Sequence, residues 1–274
     1  MRRPWSRFWF AEGPTHLLGL IRLFYGLWVV CKWMGWWGPL QRIHKWRFPR
    51  LPVHTRKESD WILEGFNLPL PGFAWLPTPS FEVYQLLQMS FAPLGLLLML
   101  GIATPVVSRL LAGLFFYYLA LSQFHYSHHN VILMLVLFVL ALAPCGDHYS
   151  LDALIRRWRG RTIPAVRSLW SLRMLQILVT AIYLSAAFGK LNDGWFTGRI
   201  MEILHTPYHL RGYYAEELFG LVGPKPLAWF TLLVEGGLPL AVWIPAVRLW
   251  GILGGVMLHG GIDAMMPVTT FSYQ

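Results

Sequence analysis

The chain has 274 residues, of which 55% are hydrophobic and only 13% charged. A soluble domain carries roughly a quarter charged residues, so there is too little charge to coat a water-facing surface, and a soluble globular protein is excluded. The net charge of +10 does not mark a nucleic-acid binder: Lys and Arg fall mainly between apolar stretches, where phospholipid headgroups and the positive-inside rule place them.

In chain order, Met1-Arg2-Arg3-Pro4 and the apolar run that follows resemble a secretory signal, but no small-residue cleavage site comes after it. The run therefore reads as an uncleaved anchor. A hydrocarbon core ~30 Å thick needs about 20 helical residues. Stretches that meet or approach this length are residues 17–37, 82–102, 106–124, 127–144, 169–189, 226–244 and 247–262. The expected fold class is all-α, a polytopic integral membrane bundle of about seven transmembrane helices in a single domain over residues 1–274.

Residues 147–167 hold Arg156, Arg157, Arg159, Arg161 and Arg167, and the N-terminus holds Arg2, Arg3 and Arg7. Both are expected on the cytoplasmic side. The turn from His125 to Asn130, free of Lys and Arg, then faces outward, as do residues 190–225. Residues 41–64 break the rule with six basic side chains, and their Trp46, Phe48 and Trp61 predict a segment lying in the membrane interface. Gly251-x-x-x-Gly255 and Ser185-x-x-x-Gly189 predict close helix approach. Cys31 and Cys145 have neither redox nor metal spacing.

Ionisable groups within or at the edge of a span are costly, so each is a candidate for function. Lys190 follows Arg173 by seventeen residues, roughly 25 Å of helix, which places it near the outer edge of the hydrocarbon. Desolvation there would disfavour the ammonium, and a neutral amine is what a base requires. Equally, the side chain can snorkel into the headgroups, and position alone favours that reading. Glu235 lies near the middle of its span, as a functional carboxyl or as a structural one bonded across helices near Pro239. His125-x-x-His128-His129-Asn130 and His205-x-x-x-His209 have helical metal-ligand spacing. Membrane di-iron oxidases need a third such box, which is missing, so no metal is expected. His259 alone reads as a hydrogen-bonded packing residue.

Taken in order, His128 or His129 with Asn130, Asp147-His148-Tyr149-Ser150-Leu151-Asp152, Gly189-Lys190-Leu191-x-x-x-Trp195-x-x-Gly198, Glu235-x-x-x-Pro239, and His259 with Phe271-Ser272-Tyr273 form a recognisable series. The chain resembles the horizontally transferred transmembrane (HTTM) domain family, whose best-known member is the vitamin K-dependent γ-glutamyl carboxylase. The resemblance implies a membrane-embedded carboxylase and epoxidase. Its cofactor would be a reduced vitamin K-type quinone, with O₂ and CO₂ as co-substrates. Lys190 would deprotonate the hydroquinone, whose reaction with O₂ drives removal of a glutamate γ-proton. CO₂ then adds to the carbanion, and the quinone leaves as an epoxide. His128, His129, Asn130, Trp195, Glu235 and His259 would line the pocket. A peptide or protein substrate, or a partner subunit, is implied as well. No counterpart of the carboxylase's luminal C-terminal domain is expected within these residues. The same helices could instead serve a non-enzymatic partner or maturation helper.

Overall fold

The computed structural model describes residues 4–14, 16–34, 69–126, 128–204 and 215–265, without the side chains of residues 124, 128, 129, 215 and 263–265. It is all-α apart from one two-residue strand pair, and its contacts cluster into two compact units.

The first unit runs to Arg173. It holds α1 (Pro4–Phe10), α2 (His16–Trp33), α3 (Phe81–Leu100), α4 (Thr104–Leu121), α5 (His128–Leu142), α6 (Leu151–Trp158) and the first turn of α7 (Trp170–Gly189). Strands β1 (Glu12–Gly13) and β2 (Arg167–Ser168) pair antiparallel, with Glu12 opposite Ser168, so α1 and the start of α7 are clasped together. The core lies among α2, α3, α4 and α5, where Leu18, Phe91, Leu98, Leu111, Phe115, Leu137 and Leu140 are fully buried. Trp33 packs on Phe91 at 4.3 Å between ring centroids. Helices α2 and α3 approach backbone to backbone. A Cβ on Gly26 would stand 2.4 Å from the Met99 amide nitrogen, and one on Gly95 would stand 2.7 Å from Val29.

One end of this unit is built from polar groups. Helix α3 stops at Gly101, whose φ of +70° a side chain would strain. Its last carbonyls accept from Arg22, one of the largest fully buried side chains of the unit. Arg22 Nη1 donates to the carbonyls of Leu98 and Met99, its Nε to Cys145 and its Nη2 to Tyr149. A cation at a helix C-terminus meets the negative end of the helix dipole. Asp152, on α6, accepts from the Ala103 and Thr104 amides at 2.9 and 2.7 Å and so caps the N-terminus of α4. Asp147 is bridged by Arg156 at 2.8 Å and Arg167 at 3.0 Å. Within the family-like stretch from Asp147 to Asp152, these two carboxylates therefore tie together helix ends.

The second unit carries α7 onward from Met174, then α8 (Asp193–Phe196), α9 (Arg199–Leu204), α10 (Ala215–Val222), α11 (Pro224–Trp243) and α12 (Arg248–Met265). The Gly251-x-x-x-Gly255 expectation holds here: a Cβ on Gly251 would fall 2.2 Å from that of Ala241, on α11. The Ser185-x-x-x-Gly189 expectation does not. A Cβ on Gly189 would meet nothing within 4 Å, and Ser185 turns its hydroxyl back to the Ile182 carbonyl.

Among the described residues five helices are long and apolar enough to cross a membrane: α2, α3, α4, α7 and α11. They correspond to five of the seven spans expected from sequence. The apolar part of α5, Asn130–Leu142, is short of a full span, and α12 is diluted by Arg248, His259 and Asp263. The interface segment expected at residues 41–64 lies outside the described residues.

Candidate functional site

The second unit brings together two of the residues singled out in sequence, Lys190 and Glu235. Lys190 is the first residue past the C-terminus of α7. Its ammonium is 3.4 Å from the Ala186 carbonyl, where the helix dipole favours a cation. It also straddles the Glu235 carboxylate, with a hydrogen bond of 3.0 Å to Oε1. Oε2 lies at 2.7 Å but outside hydrogen-bonding angles. The two side chains are 22% and 10% exposed, so the pair is only slightly wetted. Pro239, four residues after Glu235 in the same helix, has no N–H to offer the Glu235 carbonyl. The helix continues through both residues, with the Glu235 carbonyl lacking that one intrahelical donor.

Trp195 closes one side, with Lys190 Nζ 5.3 Å from a ring centroid of its indole, within cation–π range. The turn that carries it is fixed twice. Trp229 Nε1, on α11, donates to the Phe196 carbonyl at 3.1 Å. Gly198 has φ +83°, and a Cβ there would fall 2.6 Å from the Lys225 backbone. The glycine of the Lys190-to-Gly198 segment is therefore demanded both by its conformation and by contact with α11.

His259, on α12, shares a 2.6 Å hydrogen bond through Nε2 with the hydroxyl of Tyr183, on α7. Tyr183 lies within electrostatic reach of Glu235. The four groups thus fall into two bonded pairs, Lys190–Glu235 and Tyr183–His259, on three helices. Bare backbone flanks them: a Cβ on Gly189, Gly236, Gly260 or Gly261 would meet nothing within 4 Å.

Asn130 stands in the first unit. It accepts from Lys32 Nζ at 2.6 Å and donates to the His125 carbonyl at 2.8 Å. Lys32 also lies over the rings of Trp28 and Trp33 at 4.7 and 5.1 Å. His125 bonds the Tyr84 hydroxyl and the Tyr118 carbonyl. The side chains of His128 and His129, and residues His205, His209, Phe271, Ser272 and Tyr273, lie outside the described residues. Sequence reasoning missed Arg22, Lys32 and Tyr183. The first two carried a signal, a cation inside an apolar stretch. Tyr183 carried none, since a tyrosine in a span is ordinary.

The HTTM domain family model matches residues 12–274, and the chain belongs to that family. No solved structure matches it.

Proposed function

We propose that this HTTM-family chain is a membrane-embedded, quinone-dependent enzyme of the carboxylase and epoxidase type, with Lys190 as its base. The supporting observation is the Lys190–Glu235 pair, a slightly wetted cation and carboxylate beside an indole face. The donor set fits a reduced naphthoquinone. An amine can take a phenolic proton, Trp195 offers a flat apolar wall, and Tyr183 and His259 supply neutral hydrogen-bonding groups. The open backbone at Gly189 and Gly236 leaves room for a flat ring. When bound, such a quinone supplies the oxidisable ring whose conversion to the epoxide by O₂ drives carboxylation by CO₂.

What the chain's own residues do follows from charge. An ammonium cannot act as a base, so the pair must first rearrange. Passage of the Lys190 proton to Glu235 leaves two neutral groups and frees the amine lone pair. Glu235 is then the proton's resting place, while Trp195 excludes water beside the amine. The carboxyl substrate would be a glutamate in a peptide or protein. In the same reading α5 and α12 bring the spans to seven, with the N-terminus cytoplasmic.

A second reading is favoured by the ion pair itself. A lysine already neutralised by a carboxylate is also what a structural bridge between α7 and α11 looks like, as a non-enzymatic family member would retain. Organic extraction and mass spectrometry of protein purified in mild detergent tests the choice. Enzyme chemistry predicts an isoprenoid naphthoquinone retained at near-stoichiometric level. No retained quinone, with no thermal stabilisation by added reduced naphthoquinone, would leave the structural bridge.

A further inference from the structure

Helix α6 is amphipathic in the inverted sense for a protein surface. Leu151, Leu154, Ile155 and Trp158, spaced i, i+3, i+4 and i+7, form one stripe and are 38%, 40%, 42% and 80% exposed. The opposite side of the helix carries Asp152 and Arg156, which are turned inward onto the Ala103 and Thr104 amides and onto Asp147. The helix is thus held by its polar side with its apolar side out. Ser150 caps it at 2.9 Å through the Ala153 amide.

Around that stripe stand further cations. Arg157, Arg159 and Arg161 are exposed and join no carboxylate among the described residues. Asp147 is engaged by Arg156 and Arg167, and Asp152 by two amides. Glu12, also exposed at this end, forms no ion pair with them among the described residues. Helix α1, clasped to the same end through β1 and β2, repeats the pattern with Trp5 71% and Phe10 55% exposed beside exposed Arg7.

We infer that α6, with α1 at the same end of the unit, is a docking surface for anionic phospholipid headgroups. The stripe from Leu151 to Trp158 enters the acyl boundary, and the guanidiniums of Arg157, Arg159 and Arg161 take the phosphates. Guanidinium groups match phosphate oxygens through two parallel N–H donors, and a helix with an apolar stripe rimmed by arginines lies in the plane of the interface. The occupant is the lipid headgroup rather than a soluble anion because the apolar stripe has no role in holding a free phosphate. Lipid bound here would brace the ends of α3 and α4, which Asp152 and Arg22 join to this segment.

Thermal unfolding of the purified full chain in detergent tests the inference, with phosphatidylglycerol, phosphatidylcholine or inorganic phosphate added. The melting temperature should rise with phosphatidylglycerol and not with the other two. The rise should shrink as salt is raised. Arg157→Gln/Arg159→Gln/Arg161→Gln should lose the rise, and the corresponding triple lysine variant should keep most of it. Equal stabilisation by phosphatidylcholine, an equal effect of inorganic phosphate, or a rise retained in the triple glutamine variant would overturn the inference. Should that triple variant fail to fold, the lipid comparison and salt series on the unaltered chain decide.

Discussion

Lys190 and Glu235 share one charge balance, so changes to either should be felt in stability and in chemistry separately. Glu235→Gln leaves an ammonium with no carboxylate in a poorly hydrated place and should cost about 1–3 kcal/mol, below the range for a fully buried pair because Lys190 keeps some exposure. Adding Lys190→Met should recover part of that loss, since the uncompensated charge is then gone. A double-mutant cycle on detergent-phase unfolding measures it, and full additivity of the two losses would show that the pair is not coupled. Arg22 makes a second test at this scale. Arg22→Leu removes a donor from four carbonyls, of which Leu98 keeps the Gly101 amide, and should cost about 3 kcal/mol. Arg22→Lys should rescue little, because one ammonium cannot reproduce a three-nitrogen fork. An Arg22→Leu protein melting like the unaltered chain would refute that assignment.

Between elements, glycine decides where helices touch, and this was only partly legible in sequence. Gly251-x-x-x-Gly255 is a spacing that announces itself, whereas Gly26 and Gly95 lie on different helices with no shared pattern along the chain. Only the crossing of α2 and α3 shows that both are required. Gly26→Leu should therefore lower the melting temperature and the yield of folded protein, because the Met99 backbone cannot yield as a flexible side chain would. The same change at Gly113, where a Cβ meets nothing within 4 Å, should be tolerated. Equal sensitivity at the two positions, measured by fluorescence-detected size-exclusion chromatography, would contradict the crossing. The helices were legible because hydropathy reports apolar runs directly. The Lys190–Glu235 partnership was not, because forty-five residues separate the two groups and nothing local encodes which face of α11 meets the end of α7.

For the whole molecule, the loops at either end of the first unit set how the chain sits in the bilayer. Single cysteines at Arg159 and Tyr126 should be labelled by a membrane-impermeant maleimide from opposite faces of sealed vesicles. Only Cys31 must first be replaced. Burial pushes the Cys145 thiol up to about 11, so it holds too little thiolate to react. Labelling of both sites from one face would reverse the orientation. The family motifs made the Lys190 segment and Glu235 visible in sequence, but which group neutralises the lysine needed three-dimensional packing, and that neutralisation is where enzyme and structural bridge diverge. The measurement that separates them is oxygen-dependent epoxidation of a reduced naphthoquinone by the purified chain and its Lys190→Arg and Lys190→Ala variants. The account predicts activity in the unaltered protein and a loss of about 100-fold or more in both variants, with folding retained, because a guanidinium keeps the charge but does not give up its proton. Activity in Lys190→Arg equal to that of the unaltered chain would contradict Lys190 as the base, and no epoxide from the unaltered chain would contradict the enzymatic reading itself.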